Sequence, residues 1–406
     1  MRMREFSLKP VIRNTARTKE RGVVLPPPSQ RRFSGSPTAM AIFNISILLT
    51  LAVPLLIYFM HTFFTSNQIW LSFIFLVPFI GGLAGTHVFA TTYLYFDRDL
   101  SVGIPNKRVK LYLIPLGIIA LNVIAVTVMP IGLLLWFMVF YVHYALFHFG
   151  RQNIGVLTFS LMSTRRIIIL PEEKLILNTV TLCGMLAALN LFIPGLMLDP
   201  TKYPFDLALL RPVIPVLYGI GMLLYPIVVV YAALHYLRHR SRFGGYSTAI
   251  YWMCVFWYAP IYLFPAYPML NLALFTTSHG LQYLVFLGFH AYFVSHRCLA
   301  ARVTKNEWQR PLALTIAMSL VPMILLTGSV VLAWWIWSHQ TTFLEGASFV
   351  IDQIIAHDGV FKLGSGLILG LTMAHYWVDQ HIWKFKNPER RKWLLQRYPF
   401  LAALSV

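Results

Sequence analysis

The sequence predicts an all-α, polytopic integral membrane bundle of about ten transmembrane helices with both termini in the cytoplasm. Three observations predict it. The first is composition: 58% of the 406 residues are hydrophobic and only 12% are charged, about half the charge a soluble domain of this length carries. The second is a series of continuous apolar runs, each long enough to cross ~30 Å of hydrocarbon, where a helix satisfies its own backbone hydrogen bonds. The third is the placing of Lys and Arg in alternate connections.

Residues 1–38 are basic, contain Pro and Ser, and lack apolar periodicity. They read as a flexible cytoplasmic tail. Arg-rich and nearly acid-free, the segment also invites comparison with an organellar transit peptide. Glu5, Glu20 and the lack of an amphipathic helix weigh against that. The membrane domain is expected over 39–383, with spans at 40–61, 69–96, 110–129, 131–149, 176–197, 212–237, 247–266, 270–294, 311–337 and 359–382. A basic cytoplasmic tail is expected over 384–406.

Orientation follows from loop charge. The connections 97–110 (Arg98, Lys107, Arg108, Lys110), 150–175 (Arg151, Arg165, Arg166, Lys174), 238–242 and 297–310 are basic, as is the C-terminal segment from Lys384. The intervening loops are nearly free of Lys and Arg, and 338–358 has none. This alternation sets both termini inside. A multi-pass protein of a bacterial inner membrane is the expectation, with an organellar membrane as the alternative. The net charge of +19 is thereby spent on topology, and no nucleic-acid partner is implied; membrane lipids are the expected surroundings. Cys183, Cys254 and Cys298 are scattered and suggest neither disulfides nor a thiolate metal site. No glycine-rich phosphate loop occurs.

The thirteen histidines are the informative feature. Six fall at span ends or in loops. The other seven lie on alternate spans, all running from outside to inside: His87, then His143 and His148, then His279 and His290, then His375 and His381. His87, His143, His290 and His375 stand seven to eleven residues before the next basic residue, which places them roughly 10–17 Å from the inner boundary. His279 is three turns deeper than His290, and His148 and His381 are shallower. Asp379 is the one carboxylate expected inside a span, one turn from His375; Asp97 is at the edge of another. Gln152 lies one turn from His148, Gln282 one turn from His279, and Thr91 and Tyr95 continue the stripe of His87. Taken singly, a membrane histidine is more often an interhelical hydrogen-bonding residue, and the neighbouring aromatics are packing and belt residues. Four helices offering imidazole with one carboxylate match the donor set of non-haem iron. The expected ligands are His87, His143, His279, His290, His375 and Asp379, with His148, Gln152 and Gln282 beside them.

The segments THVFATTYLYFD, HYALFHFGRQNIG, SHGLQYLVFLGFH and AHYWVDQHIW together resemble the histidine-rich multispan oxygenases, and among these the Brp/Blh-type carotenoid-cleaving family. The likeness is one of ligand type and topology. The HxxHH box of the fatty-acid desaturases is absent. What the resemblance implies is Fe(II)-dependent O2 activation on a lipid-soluble substrate.

The first expectation for function is therefore an intramembrane iron oxidoreductase of oxygenase, hydroxylase or desaturase type, acting on a lipid or isoprenoid. A His/Asp transporter or channel for protons, metal ions or an organic solute is the second, without the inverted repeat or paired broken helices that such proteins carry. A di-haem carrier is the third, but no second helix repeats the His279–His290 spacing.

Overall fold

Prolines and backbone caps divide the apolar runs into helices. The computed structural model describes residues 37–63, 87–97, 99–196, 212–263, 268–293 and 360–401. Among these, 88% are helical and no strand occurs, which excludes a barrel for this part of the chain.

Helix α1 spans Pro37–Phe63. A short turn, α2, covers His87–Ala90 and tightens into a 3-10 segment at Thr91–Phe96. A π-helical turn at Val109–Leu113 leads into α3, Ile114–Val128. Pro130 then holds Met129 extended (ψ 133°), as a following proline does, and α4 begins at Ile131. Beyond it lie α5 (Pro171–Leu196), α6 (Val213–His239), α7 (Gly245–Phe256), α8 (Ala259–Leu263), α9 (Pro268–Phe293), α10 (Val360–Ile382) and α11 (Pro388–Arg397). Helix α9 packs on α1, α4 packs on α5 and α7, and α5 pairs with α6.

Among the described residues, three helical stretches are long and apolar enough to cross a membrane: Pro37–Leu56, Val109–Val128 and Val213–Arg242. The expected span 69–96 lies mostly outside the described residues, and the span 311–337 lies wholly outside them.

Two expectations differ from the structure. The connection expected over 150–175 is mostly helix, because α4 continues to Arg165 before Arg166 closes it in the left-handed conformation (φ 58°). At ~1.5 Å per residue this helix is about 50 Å long. Its polar end stays helical because it packs against protein: Asn44 of α1 donates to Ser163 Oγ (3.0 Å) and Ser160 donates to Asn44 Oδ1 (2.7 Å). The segment expected as a tail from 384 also folds. Asn387 caps α11 by accepting from the Glu389 and Arg390 amides, and Trp393, Leu394, Tyr398, Phe400 and Leu401 are buried. Arg390, expected as a topological surface charge, is 1% exposed. It donates to the carbonyls of Leu100, Val102 and Ile382, closing the end of α10.

Helix α10 lies against α3 with their backbones close. A Cβ on Gly366 would stand 2.7 Å from Val123 Cα, and one on Gly370 would stand 2.8 Å from Ile119 Cα. These glycines form a GxxxG pair, whose use is to let helices touch at the backbone.

Candidate metal centre

Four elements meet at one buried centre. His87 opens α2, His148 is on α4, His279 on α9, and His375 and Asp379 share a face of α10. Each is less than a tenth exposed. The ring of His87 lies 4.7 Å from that of His279 and 4.8 Å from that of His375. His148 lies 5.0 Å from His279 and 5.6 Å from His375. Two donor groups result, His87–His279–His375 and His148–His375–Asp379, each with one ligand atom per residue within 4.8 Å of the others.

Hydrogen bonds between helices turn these side chains inward. On α9, Ser278 donates to the Thr50 carbonyl of α1 (2.8 Å) and receives Trp257 Nε1 (3.0 Å). Gln152 of α4 donates to the His279 carbonyl (3.2 Å) and to Gln282 Oε1 (3.0 Å). With that backbone held on two sides, His279 faces the centre, against Phe149 at 4.4 Å. Gln152 and Gln282 are expected beside the imidazoles; the structure has them bonded to each other, Gln152 also to the His279 carbonyl and Gln282 also to Ser278 Oγ. Tyr376 stacks on His148 at 4.0 Å.

Asp379 is held from one side. Its Oδ1 accepts from the Tyr283 hydroxyl (2.9 Å) and from Trp383 Nε1 (3.3 Å), while Oδ2 faces His375 Nε2 at 3.5 Å and His148 Nε2 at 3.7 Å. His148 Nε2, His375 Nε2 and both ring nitrogens of His279 have no hydrogen-bond partner among the described residues. Leaving such buried atoms unbonded costs about 1–3 kcal/mol each. Their convergence beside a carboxylate is the arrangement that a cation would satisfy. Neutral imidazole and carboxylate donors fit iron, zinc or copper in chemical type.

The structure separates the other expected ligands from this group. His143, five residues from His148, faces away, its ring between the carbonyls of Val139 (2.7 Å) and Met185 (3.1 Å). His290 lies three turns along α9 from His279, roughly 16 Å by helical rise. It sits 3.4 Å from Asp97 Oδ2 and against Trp393. His381 bonds to the Trp377 carbonyl.

Asp97 forms a second charged cluster. Arg397 of α11 binds both its oxygens at 2.7 Å and reaches Asp99 at 2.9 Å. Burial disfavours ionised Asp97, yet the hydrogen bonds from Arg397 and His290 and the nearby charge outweigh it, holding the carboxyl below the usual carboxylate range.

Tyr283 and Trp383 carry Asp379 although the sequence reading gave neither a role at the site. Their signal was present: each stands one helical turn beyond a candidate ligand, Tyr283 after His279 and Trp383 after Asp379.

No protein-family model, curated protein or solved structure matches this chain. What the centre can do follows from its donors.

Proposed function

We propose that this protein is an intramembrane, iron-dependent oxidoreductase of oxygenase, hydroxylase or desaturase type, acting with O2 on a lipid or isoprenoid. The observation that carries the reading is the buried convergence of His87, His148, His279, His375 and Asp379 from four elements. A carboxylate inside a membrane helix costs several kcal/mol unless it is paired. Two hydrogen-bond donors hold Asp379 Oδ1, and a cation shared with His148 and His375 would pair Oδ2, which faces both rings.

The topology in this reading is ten spans with both termini cytoplasmic, supported by the three long apolar helices and the alternating basic connections. Ferrous iron held by imidazoles and a carboxylate would supply one-electron chemistry with O2 at positions the protein leaves open. The chain's own contribution is placement and shielding. Tyr283 and Trp383 fix Asp379, Tyr376 and Phe149 cover His148 and His279, and the surrounding aromatic packing excludes water.

The test is turnover. Full-length protein in lipid nanodiscs is incubated with polyene isoprenoids and unsaturated lipids under O2, and oxygen uptake and products are followed. Oxygen consumption matched to an oxidised product, and lost in His279→Ala, supports the reading. Proton or metal flux across proteoliposomes without any product would replace it with transport.

A further inference from the structure

We infer that Thr91 fixes His375 as its Nδ1–H tautomer, so that one nitrogen, Nε2, serves both donor groups and the centre is built for a single ion. The inference rests on the metal reading above and deepens it.

The Thr91 hydroxyl has one hydrogen to donate. Thr91 Oγ1 lies 2.9 Å from the His87 carbonyl and 2.8 Å from His375 Nδ1. A carbonyl can only accept, so the Thr91 hydrogen goes to His87, the back-bonding that helical threonine commonly makes. The oxygen's lone pair is then what meets His375, and Nδ1 must carry the proton. A neutral imidazole has one N–H. Nε2 is therefore left with its lone pair pointing into the centre, where no hydrogen bond engages it.

His375 belongs to both groups, His87–His279–His375 and His148–His375–Asp379. With Nδ1 committed to Thr91, both groups draw on the same Nε2, and that lone pair bonds one ion at a time. Thr91 also ties the 3-10 segment after His87 to α10 across 284 residues of sequence. One hydroxyl thus sets the ring orientation of one ligand while bonding to the backbone of another. Groups that orient a ligating histidine from behind in this way typically change metal affinity ten- to hundred-fold when removed.

The experiment uses the full-length protein in two measurements. In the metal-free state, solid-state NMR of 15N-histidine protein, with the His375 resonance assigned by its loss in His375→Gln, reads the tautomer directly. Nδ1–H on His375 is expected, and Nε2–H overturns the inference whether or not the protein takes metal. Fe(II) and Co(II) titrations then give stoichiometry and affinity. One ion per chain is expected, with affinity reduced roughly ten- to hundred-fold in Thr91→Val and restored in Thr91→Ser. Two tightly held ions per chain, or a Thr91→Val protein with unchanged affinity and tautomer, overturn it. A wild type that takes no ion removes the metal reading itself, and the tautomer read without metal tells that failure from a failure of Thr91's role.

Discussion

The substitution Arg397→Ala removes a guanidinium that α11 delivers to Asp97, ten residues beyond His87. Arg397 donates to both Asp97 oxygens at 2.7 Å, the short, two-pronged geometry of the strongest charged hydrogen bonds. Its side chain is 15% exposed and that of Asp97 only 4%. Deleting one partner of a fully buried pair costs ~3–5 kcal/mol. Arg397 keeps some contact with water, and its bond to Asp99, whose side chain is 59% exposed, adds less than about 1 kcal/mol. The expected loss is therefore about 2–3 kcal/mol at neutral pH, a 30- to 150-fold shift in the unfolding equilibrium.

The loss depends on pH with a definite sign. The folded-state carboxyl of Asp97 is held below its usual range by Arg397 and His290 against the opposing effect of burial. Its contribution is therefore present above the unfolded value of ~3.9 and is lost as pH falls below that towards the folded value. Denaturant titrations in micelles, followed by tryptophan fluorescence, should show the gap between wild type and Arg397→Ala constant from neutral pH to about 5 and closing below 4. Wild-type stability in Arg397→Ala, or a gap that widens on acidification, would refute the ion-pair account.

Three further outcomes are expected. Gly370→Leu, which drives a side chain into Ile119 of α3, should destabilise the protein by at least ~1–3 kcal/mol in the same titrations, whereas Gly117→Ala, with no atom within 4 Å of the new methyl, should not. Tyr283→Phe removes the hydroxyl from Asp379 Oδ1 and should weaken Fe(II) binding by about ten-fold with the circular dichroism spectrum unchanged; equal affinity would show that Tyr283 does not act through Asp379. Asn387→Ala takes the cap from α11 and should cost ~1 kcal/mol, read as faster proteolysis after Ile382 in a time course against wild type.

Helical, membrane-type character was legible from apolar run length and from loop charge, because both depend on local composition. The site was legible in its residue types and less so in its membership. Depth was measured from the nearest basic residue on the assumption that Arg151 ends a span. Arg151 instead rides on α4 with its guanidinium over Phe147, and the helix runs on for fourteen residues to Arg165. That error of reference made His148 look interfacial and raised His143, which the structure turns towards α5. His279 looked too deep beside His290, yet it is His279 that meets His87. The docking of α11 was not legible at all. A short segment with five Lys and Arg between 384 and 392 reads as solvated tail until Arg390 and Arg397 find carbonyls and carboxylates that tertiary structure alone supplies. The GxxxG pair of α10 was readable by spacing and went unread.

The account's central claim is that His87, His148, His279, His375 and Asp379 hold a metal ion, and the metal content of the purified full-length protein tests it most directly. Prepared without chelator, the wild type should carry stoichiometric iron; His279→Ala and His375→Ala should lose it; and His143→Ala, changed on the far face of α4, should keep it. A wild-type protein that is free of metal yet fully active, or a His143→Ala protein as depleted as His279→Ala, would contradict the claim.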